Sequence, residues 1–398
     1  MTTAQAHAGQ RAVIAIIGNR NAGKSTLINK IIGQEVSIVS DTLGTTTDAV
    51  CKAYEFPQAG PVSFYDTAGL DDLGELGEKR IKATEKIIQK ADLILYIIGK
   101  EGLDGVIEEK LRSMNLKGQR FIPVFNFADL YQPDKYTNAI CQLYQGIRVS
   151  AKTGLGIEEL KNRIASIIAP LNNEAKLLDD LVEEKDIIIM VTPIDSAAPK
   201  GRMIMPQVQT LREALDINAI VITVKPSELA TALTSLKNPP KIVITDSQAV
   251  KEVAEIVPQS IPLITFSMLL ARAKLDFKQM ISGIETLKKL KENDKVLIAE
   301  ACTHRTTCDD IGRVKIPMLL KKFTGKELQI DFASGTDFPE DLSAYKLIIH
   351  CGGCMLPRGE IKSRLQKCAA QNIPVTNYGM VISMAQGVLE RVTKPLIK

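Results

Sequence analysis

A chain of 398 residues is long enough for roughly two to four domains, and its 45% hydrophobic and 24% charged content is that of an ordinary soluble globular protein with a core needing no staples. The net charge of +4 is too small to argue for nucleic-acid binding by itself, and no apolar run approaches the roughly 18–20 residues that span a bilayer. Met1–Gln10 is polar and Ala-rich, without the charged start and apolar stretch of a signal peptide. A cytoplasmic protein with no nucleic-acid and no membrane partner is therefore expected.

Strand-like runs Val13–Ile17, Val62–Tyr65, Leu93–Ile98 and Phe121–Phe125 alternate with helical stretches. This βαβ rhythm predicts a mostly parallel sheet covered by helices. The charged stretch Asn172–Lys185 reads as a helical linker. A second α/β unit follows, with strands Ile187–Val191, Ala219–Val224, Lys241–Thr245 and Pro262–Phe266. A third begins at the helical Asp276–Lys291 and carries strands Val296–Glu300, Leu328–Phe332, Lys346–His350 and Pro374–Asn377. The second and third units share a rhythm. The expected class is α/β, a P-loop domain over residues 1–171 followed by two smaller, mostly parallel α/β domains over 172–267 and 268–398.

Gly18-Asn-Arg-Asn-Ala-Gly-Lys-Ser25 leaves an apolar strand and opens a helical stretch, the P-loop pattern in its strand–loop–helix context. Asn19, Gly23, Lys24, Ser25 and Thr26 would wrap the phosphates. Lys24 supplies a point charge, and Ser25 is a ligand for Mg²⁺. Asp66-Thr-Ala-Gly-Leu70 ends the next strand; Asp66 suits water-mediated Mg²⁺ binding and Gly69 the γ-phosphate. Thr46, in Gly44-Thr-Thr-Thr-Asp48, is the choice to complete the Mg²⁺ shell. Ser150-Ala151-Lys152 suits a loop against a guanine base.

These motifs resemble translation-factor-like GTPases of the branch that includes Era and MnmE. The resemblance implies guanine recognition by Asn126-Phe-Ala-Asp129, in which Phe127 stands where that family usually has Lys. An Asp carboxylate accepts two hydrogen bonds from guanine that adenine cannot give. Leu70 stands where Ras-like GTPases place a water-orienting Gln. Asn21, three residues before Lys24, occupies the position that helps hold K⁺ in the potassium-activated branch. Glu75 is the candidate to orient the attacking water, and a plain surface acid is the alternative.

Four of the seven cysteines, Cys302, Cys308, Cys351 and Cys354, cluster in the C-terminal third, with His304 and His350 beside them. In a cytoplasmic protein this reads as metal binding before disulfides. Cys302 and Cys351 each follow a strand, and ligand sites gather at the carboxyl ends of parallel strands. Two such strands side by side would bring Cys302 within reach of Cys351 and Cys354, and these three thiolates are one short of a usual 4Fe–4S set, which implies an exchangeable iron. His304, His350, Glu300 and water are the candidates for its fourth ligand, while Cys308 is a further thiol. A structural zinc site and buried core thiols are the alternatives.

Cys302-x-His304 followed at a distance by His350-Cys351-Gly-Gly-Cys354, after GTPase motifs, resembles the HydF family of FeFe-hydrogenase maturation GTPases. That resemblance covers nearly the whole chain. It implies a GTP-hydrolysing scaffold with a 4Fe–4S cluster on Cys302, Cys351 and Cys354, which receives a diiron precursor from the radical-SAM enzymes HydE and HydG. The precursor would pass to the hydrogenase apoprotein, and the middle unit would form a homodimer. An RNA- or ribosome-associated GTPase and a zinc-stabilised switch are the other readings.

Overall fold

The computed structural model describes residues 11–33, 50–67, 75–173, 176–178, 180–194, 203–275, 277–301, 310–335, 337–354 and 356–397, without the side chains of 75–80, 82, 172 and 173. The chain divides into two compact units, Met1–Glu174 with Pro357–Ser363, and Ala175–Leu356 with Arg364–Lys398.

The first unit holds strands β1 (Ala12–Gly18), β2 (Val50–Phe56), β3 (Gly60–Asp66), β4 (Leu93–Ile98), β5 (Phe121–Phe125) and β6 (Ile147–Arg148). Between them run α1 (Lys24–Ile32), α2 (Glu75–Lys90), α3 (Gly105–Leu116) and α4 (Lys135–Leu143), and α5 (Ile157–Asn173) closes the series. The strand order is β2-β3-β1-β4-β5-β6, parallel except for β2, which pairs antiparallel with β3. β2 lies outside the strand-like runs of the sequence. It is a half-buried edge strand without a continuous apolar run.

The central strands are apolar throughout because both faces of a parallel sheet are covered. Their period of two then sorts the side chains. Ile14, Ile16, Leu95 and Ile97 pack with Leu27 and Ile31 of α1 and Leu160 and Ile164 of α5. Ala15, Ile17, Ile94 and Tyr96 face α3 and α4 through Ile107, Leu111 and Ile140. β1 lies between β3 and β4, so the chain departs to opposite sides of it, and its carboxyl end is a crevice at a topological switch point.

The second unit carries two four-stranded parallel sheets. One contains β7 (Ile187–Val191), β8 (Ile220–Val224), β9 (Ile242–Thr245) and β10 (Leu263–Thr265) in the order β10-β9-β7-β8. Its helices are α6 (Met205–Asp216), α7 (Leu229–Ser235), α8 (Val250–Ile256) and α9 (Phe266–Lys274). After α10 (Phe277–Leu287), the other sheet is built from β11 (Lys295–Glu300), β12 (Gln329–Ser334), β13 (Leu347–His350) and β14 (Val375–Asn377). Its order is β12-β11-β13-β14. The helices there are α11 (Ile316–Thr324), α12 (Arg358–Ala370), which belongs to this unit from Arg364 onward, α13 (Tyr378–Ala385) and α14 (Leu389–Thr393). Counted from each sheet's first strand, both orders read the same way. The shared rhythm seen in the sequence is thus a shared topology.

The helical linker expected over Asn172–Lys185 is corrected. α5 ends at Asn173, and the described residues between it and β7 form turns. The cause is tertiary. The Glu213 carboxylate accepts from the backbone of Leu177 (2.7 and 2.9 Å) and Leu178 (2.7 Å). Leu177 and Leu178 are both buried, which successive positions on one helix face cannot provide. Hydrogen bonds to a charged acceptor contribute about 1.5–3 kcal/mol, more than the few tenths that separate ordinary helix propensities.

Candidate functional site

Gly18 ends β1, and Lys24 opens α1. Gly23 between them has φ +88°, the left-handed conformation that glycine adopts without penalty. Lys24 is buried, and its Nζ donates to the carbonyls of Gly18 (3.0 Å) and Asn19 (2.9 Å). Ser25 Oγ donates to Asp66 Oδ2 at 2.5 Å. Parallel register sets Ile16 beside Asp66, which brings the end of β3 against the loop. Hard oxygen donors from a hydroxyl and a carboxylate, meeting this closely, fit Mg²⁺. Thr26 is exposed on α1, and Asn21 is exposed with φ 60°.

The base-side loops are tied to this loop by one side chain. Asn126 is 7% exposed. Its Nδ2 donates to the Ala22 carbonyl at 3.0 Å, and its Oδ1 accepts from the Ala151 amide at 3.0 Å. Both ends of the carboxamide are used, so three loops distant in sequence share one buried clamp. A Cβ on Gly23 would lie 2.3 Å from Asn126 Nδ2, so only glycine admits this approach. The same point is 3.7 Å from Phe127 Cζ, which sets the half-buried Phe127 ring beside Gly23. Phe127 has φ 62°, a backbone a bulky side chain rarely adopts. Its carbonyl accepts from Leu130 and Tyr131, closing the turn that carries the exposed Asp129. Ser150 Oγ accepts from the Thr153 amide (3.1 Å), and Lys152 is exposed. Glu75 opens α2, and Thr46, Gly69 and the Glu75 side chain lie outside the described residues.

The cysteine site sits in the second unit. β11 and β13 are parallel neighbours with Ala299 beside His350. They flank the switch point of their sheet. The Cys351 amide donates to the Ala299 carbonyl (2.9 Å). Cys351 Sγ accepts from the amides of Ala301 (3.0 Å) and Gly353 (3.4 Å). Gly353, at φ +63°, supplies the left-handed turn that aims its N–H back at sulfur. Burial pushes the Cys351 thiol up to about 11, against the pull of those two amides. A sulfur that accepts two backbone N–H groups, with the Cys354 thiol three residues on, fits a thiolate-ligated metal centre. Cys302, His304 and Cys308 lie outside the described residues. Among the described residues no three His, Cys, Asp or Glu side chains gather for a metal.

His350 is 1% exposed, and burial holds its imidazole down at about 4. Its Nδ1 lies 2.7 Å from the Cys351 carbonyl and its Nε2 3.3 Å from Arg364 Nη1. Both ring nitrogens are engaged. Glu300 is buried and accepts from Arg313 Nε (3.1 Å) and Ser334 Oγ (3.0 Å). Arg364 was missed in the sequence. The available signal was an arginine at buried helical spacing with Ile361 and Cys368.

Residues 13–127 match the family model for the 50S ribosome-binding GTPase. Residues 177–275 match the hydrogen maturase F dimerization domain, and residues 278–395 the hydrogen maturase F tetramerization domain. Among curated proteins, the chain is similar to the tRNA modification GTPase MnmE of Acetivibrio thermocellus, 34% identical over 191 residues (46% of this chain, 40% of that one). It is likewise similar to MnmE of Lawsonia intracellularis, 38% identical over 165 residues (39% and 35%). The chain spans about two fifths of the length of these relatives or less. Among solved structures, Aquifex aeolicus Era bound to GDP and AlF4⁻ is 20% identical, covering 54% of this chain and 93% of Era, with a TM-score of 0.33. Among the described residues no helix is long and apolar enough to cross a membrane. With a GTPase domain leading, and two domains of one family together filling more than half of the chain behind it, the protein belongs to the hydrogen maturase F family, HydF.

Proposed function

We propose that this chain is a GTP-hydrolysing scaffold that carries a 4Fe–4S cluster and a diiron precursor for delivery to the FeFe-hydrogenase apoprotein. HydE and HydG are the donors of that cargo in this reading. The observation that carries it is the Cys351 sulfur, held by two backbone N–H groups at the switch point of a sheet inside a hydrogen maturase F domain. Cys302, Cys351 and Cys354 would ligate the cluster, which supplies an iron with an exchangeable position for a ligand of the incoming cargo. His304 and water remain candidates for that position. His350 has both ring nitrogens engaged, by the Cys351 carbonyl and Arg364, so it supports the site from behind, while Glu300 uses Oε2 for Arg313 and Ser334 and stays a candidate through its other oxygen.

On the nucleotide side, Lys24 neutralises phosphate charge and Asn19, Gly23 and Thr26 contribute to the cradle. Ser25, Thr46 and Asp66 would hold Mg²⁺, which offsets the charge that develops on the phosphates. Gly69 donates to the γ-phosphate. Asp129 accepts from guanine, with Asn126, Ser150, Ala151 and Lys152 forming the rest of the base pocket and the Phe127 ring packing on the base. Asn21 offers a neutral amide oxygen to K⁺, the ion that would stand in for an arginine finger, and Glu75 orients the water. The domain division 1–171, 172–267 and 268–398 belongs to the same proposal. The homodimer is assigned to the middle sheet, where β8 is an edge with Ile220 exposed, flanked by exposed Val208 and Leu215 of α6.

Anaerobic purification with iron and sulfide reconstitution tests the reading. A brown protein with a 4Fe–4S EPR signal on reduction is expected. A colourless protein with stoichiometric zinc overturns the cluster assignment and leaves the GTPase domain standing.

A further inference from the structure

Behind the cysteine loop runs a buried chain of contacts that ligand counting leaves unused. Arg364 lies on α12 with 3% of its surface exposed. Nη2 donates to the Gly335 carbonyl, Nη1 faces His350 Nε2 at 3.3 Å, and the guanidinium lies 5.1 Å from the Phe338 ring centroid. A guanidinium has only donors and keeps its charge, so Nε2 must be the acceptor. A neutral imidazole has one donor and one acceptor, so the hydrogen is on Nδ1 and goes to the Cys351 carbonyl at 2.7 Å. Arg364 therefore dictates the tautomer of His350, and His350 dictates the orientation of the Cys351–Gly352 peptide. That peptide begins the turn that returns the Gly353 amide to Cys351 Sγ.

We propose that Arg364 is a positioning residue of the cluster site: through His350 it fixes the Cys351 backbone, and its buried positive charge favours the reduced, more negative cluster. The proposal rests on the reading of Cys351 as a cluster ligand. Two consequences follow from the contacts. His350 has no nitrogen free for iron. And a buried charge is screened little by solvent ions, so its effect on the cluster persists at physiological salt.

The test is a redox titration, followed by EPR, of the full-length protein reconstituted anaerobically, as wild type, Arg364→Met, Arg364→Lys and His350→Asn. Arg364→Met should keep its iron but shift the midpoint to more negative potential. Arg364→Lys keeps the charge and should recover most of that shift, which a merely structural arginine would not produce. His350→Asn keeps an N–H in place of Nδ1 and should retain the wild-type EPR line shape. An unchanged midpoint in Arg364→Met overturns the charge role, and an EPR signal in His350→Asn altered as by ligand loss overturns the relay. If Arg364→Met does not fold, the Lys and Asn variants decide: a midpoint near wild type in Lys with an unaltered line shape in Asn supports the proposal, and either departure overturns it. A wild-type protein without any cluster refutes the cluster reading instead.

Discussion

The nucleotide-side loops and the cysteine site both sit at the carboxyl end of a parallel sheet, at a switch point, yet they are assembled in opposite ways. In the first, the backbone does most of the shaping. Lys24 reaches carbonyls five and six residues away, and Gly23 makes the turn. One side chain, Asn126, then joins loops more than a hundred residues apart. In the second, the Ala301 amide meets the sulfur of Cys351 from fifty residues away in sequence, and His350 and Arg364 complete the groups that shape Cys351. A phosphate can be met by N–H groups from one short loop. In the proposed cluster reading, several thiolates would meet the iron from different sides, so their support would come from several elements.

Substitutions can break this contrast. The largest effect is expected at sulfur. Cys351→Ala should lose most of the reconstituted iron, measured per protomer, while GTP turnover persists; retention of the full cluster would remove Cys351 from the ligand set. Lys24→Ala should mirror it, lowering GTP turnover by about 10²–10³-fold, the scale of one lost electrostatic contact to developing charge, with iron content unchanged. A parallel loss of iron would mean that the two sites are not separable in this way. Asn126→Ala removes two buried hydrogen bonds and leaves the Ala22 carbonyl and Ala151 amide without their partner. A loss of about 2–4 kcal/mol from the GTPase domain is expected, read by denaturant unfolding together with weakened guanine nucleotide binding. The smallest effects sharpen the comparison. Glu213→Ala frees the Leu177 and Leu178 amides and should cost about 1–3 kcal/mol, visible as faster proteolysis of the segment before β7. Replacing K⁺ by Na⁺ should slow hydrolysis in the wild type and make no difference in Asn21→Ala; equal wild-type rates in both salts would leave Asn21 without a role in catalysis.

Legibility in the sequence followed how local each feature is. The runs that became β1, β4, β5 and β7 were readable because strands buried on both faces are apolar along their whole length, and β11 because its apolar Val296–Ala299 lies between a lysine and a glutamate. β2 was not, because an edge strand in a hairpin needs only one buried face and its residues alternate weakly. The linker before β7 misled because charge and helix propensity are local, while Glu213, which captures its amides, lies some 35 residues further on.

The sequence by itself determined the P-loop and its Gly23 turn, the presence of Asn126 and Asp129 on one short segment, and the placement of two cysteine segments directly after strand-like runs. Each depends on spacing within a few residues or on a strand pattern that the chain must satisfy wherever it folds. Only the tertiary structure decided that Asn126 spends both ends of its carboxamide on other loops, that His350 commits both ring nitrogens to the Cys351 carbonyl and Arg364, and that Arg364 is buried behind it. A polar side chain cannot be buried until its partners are supplied, and those partners arrive from elements whose meeting no local pattern records.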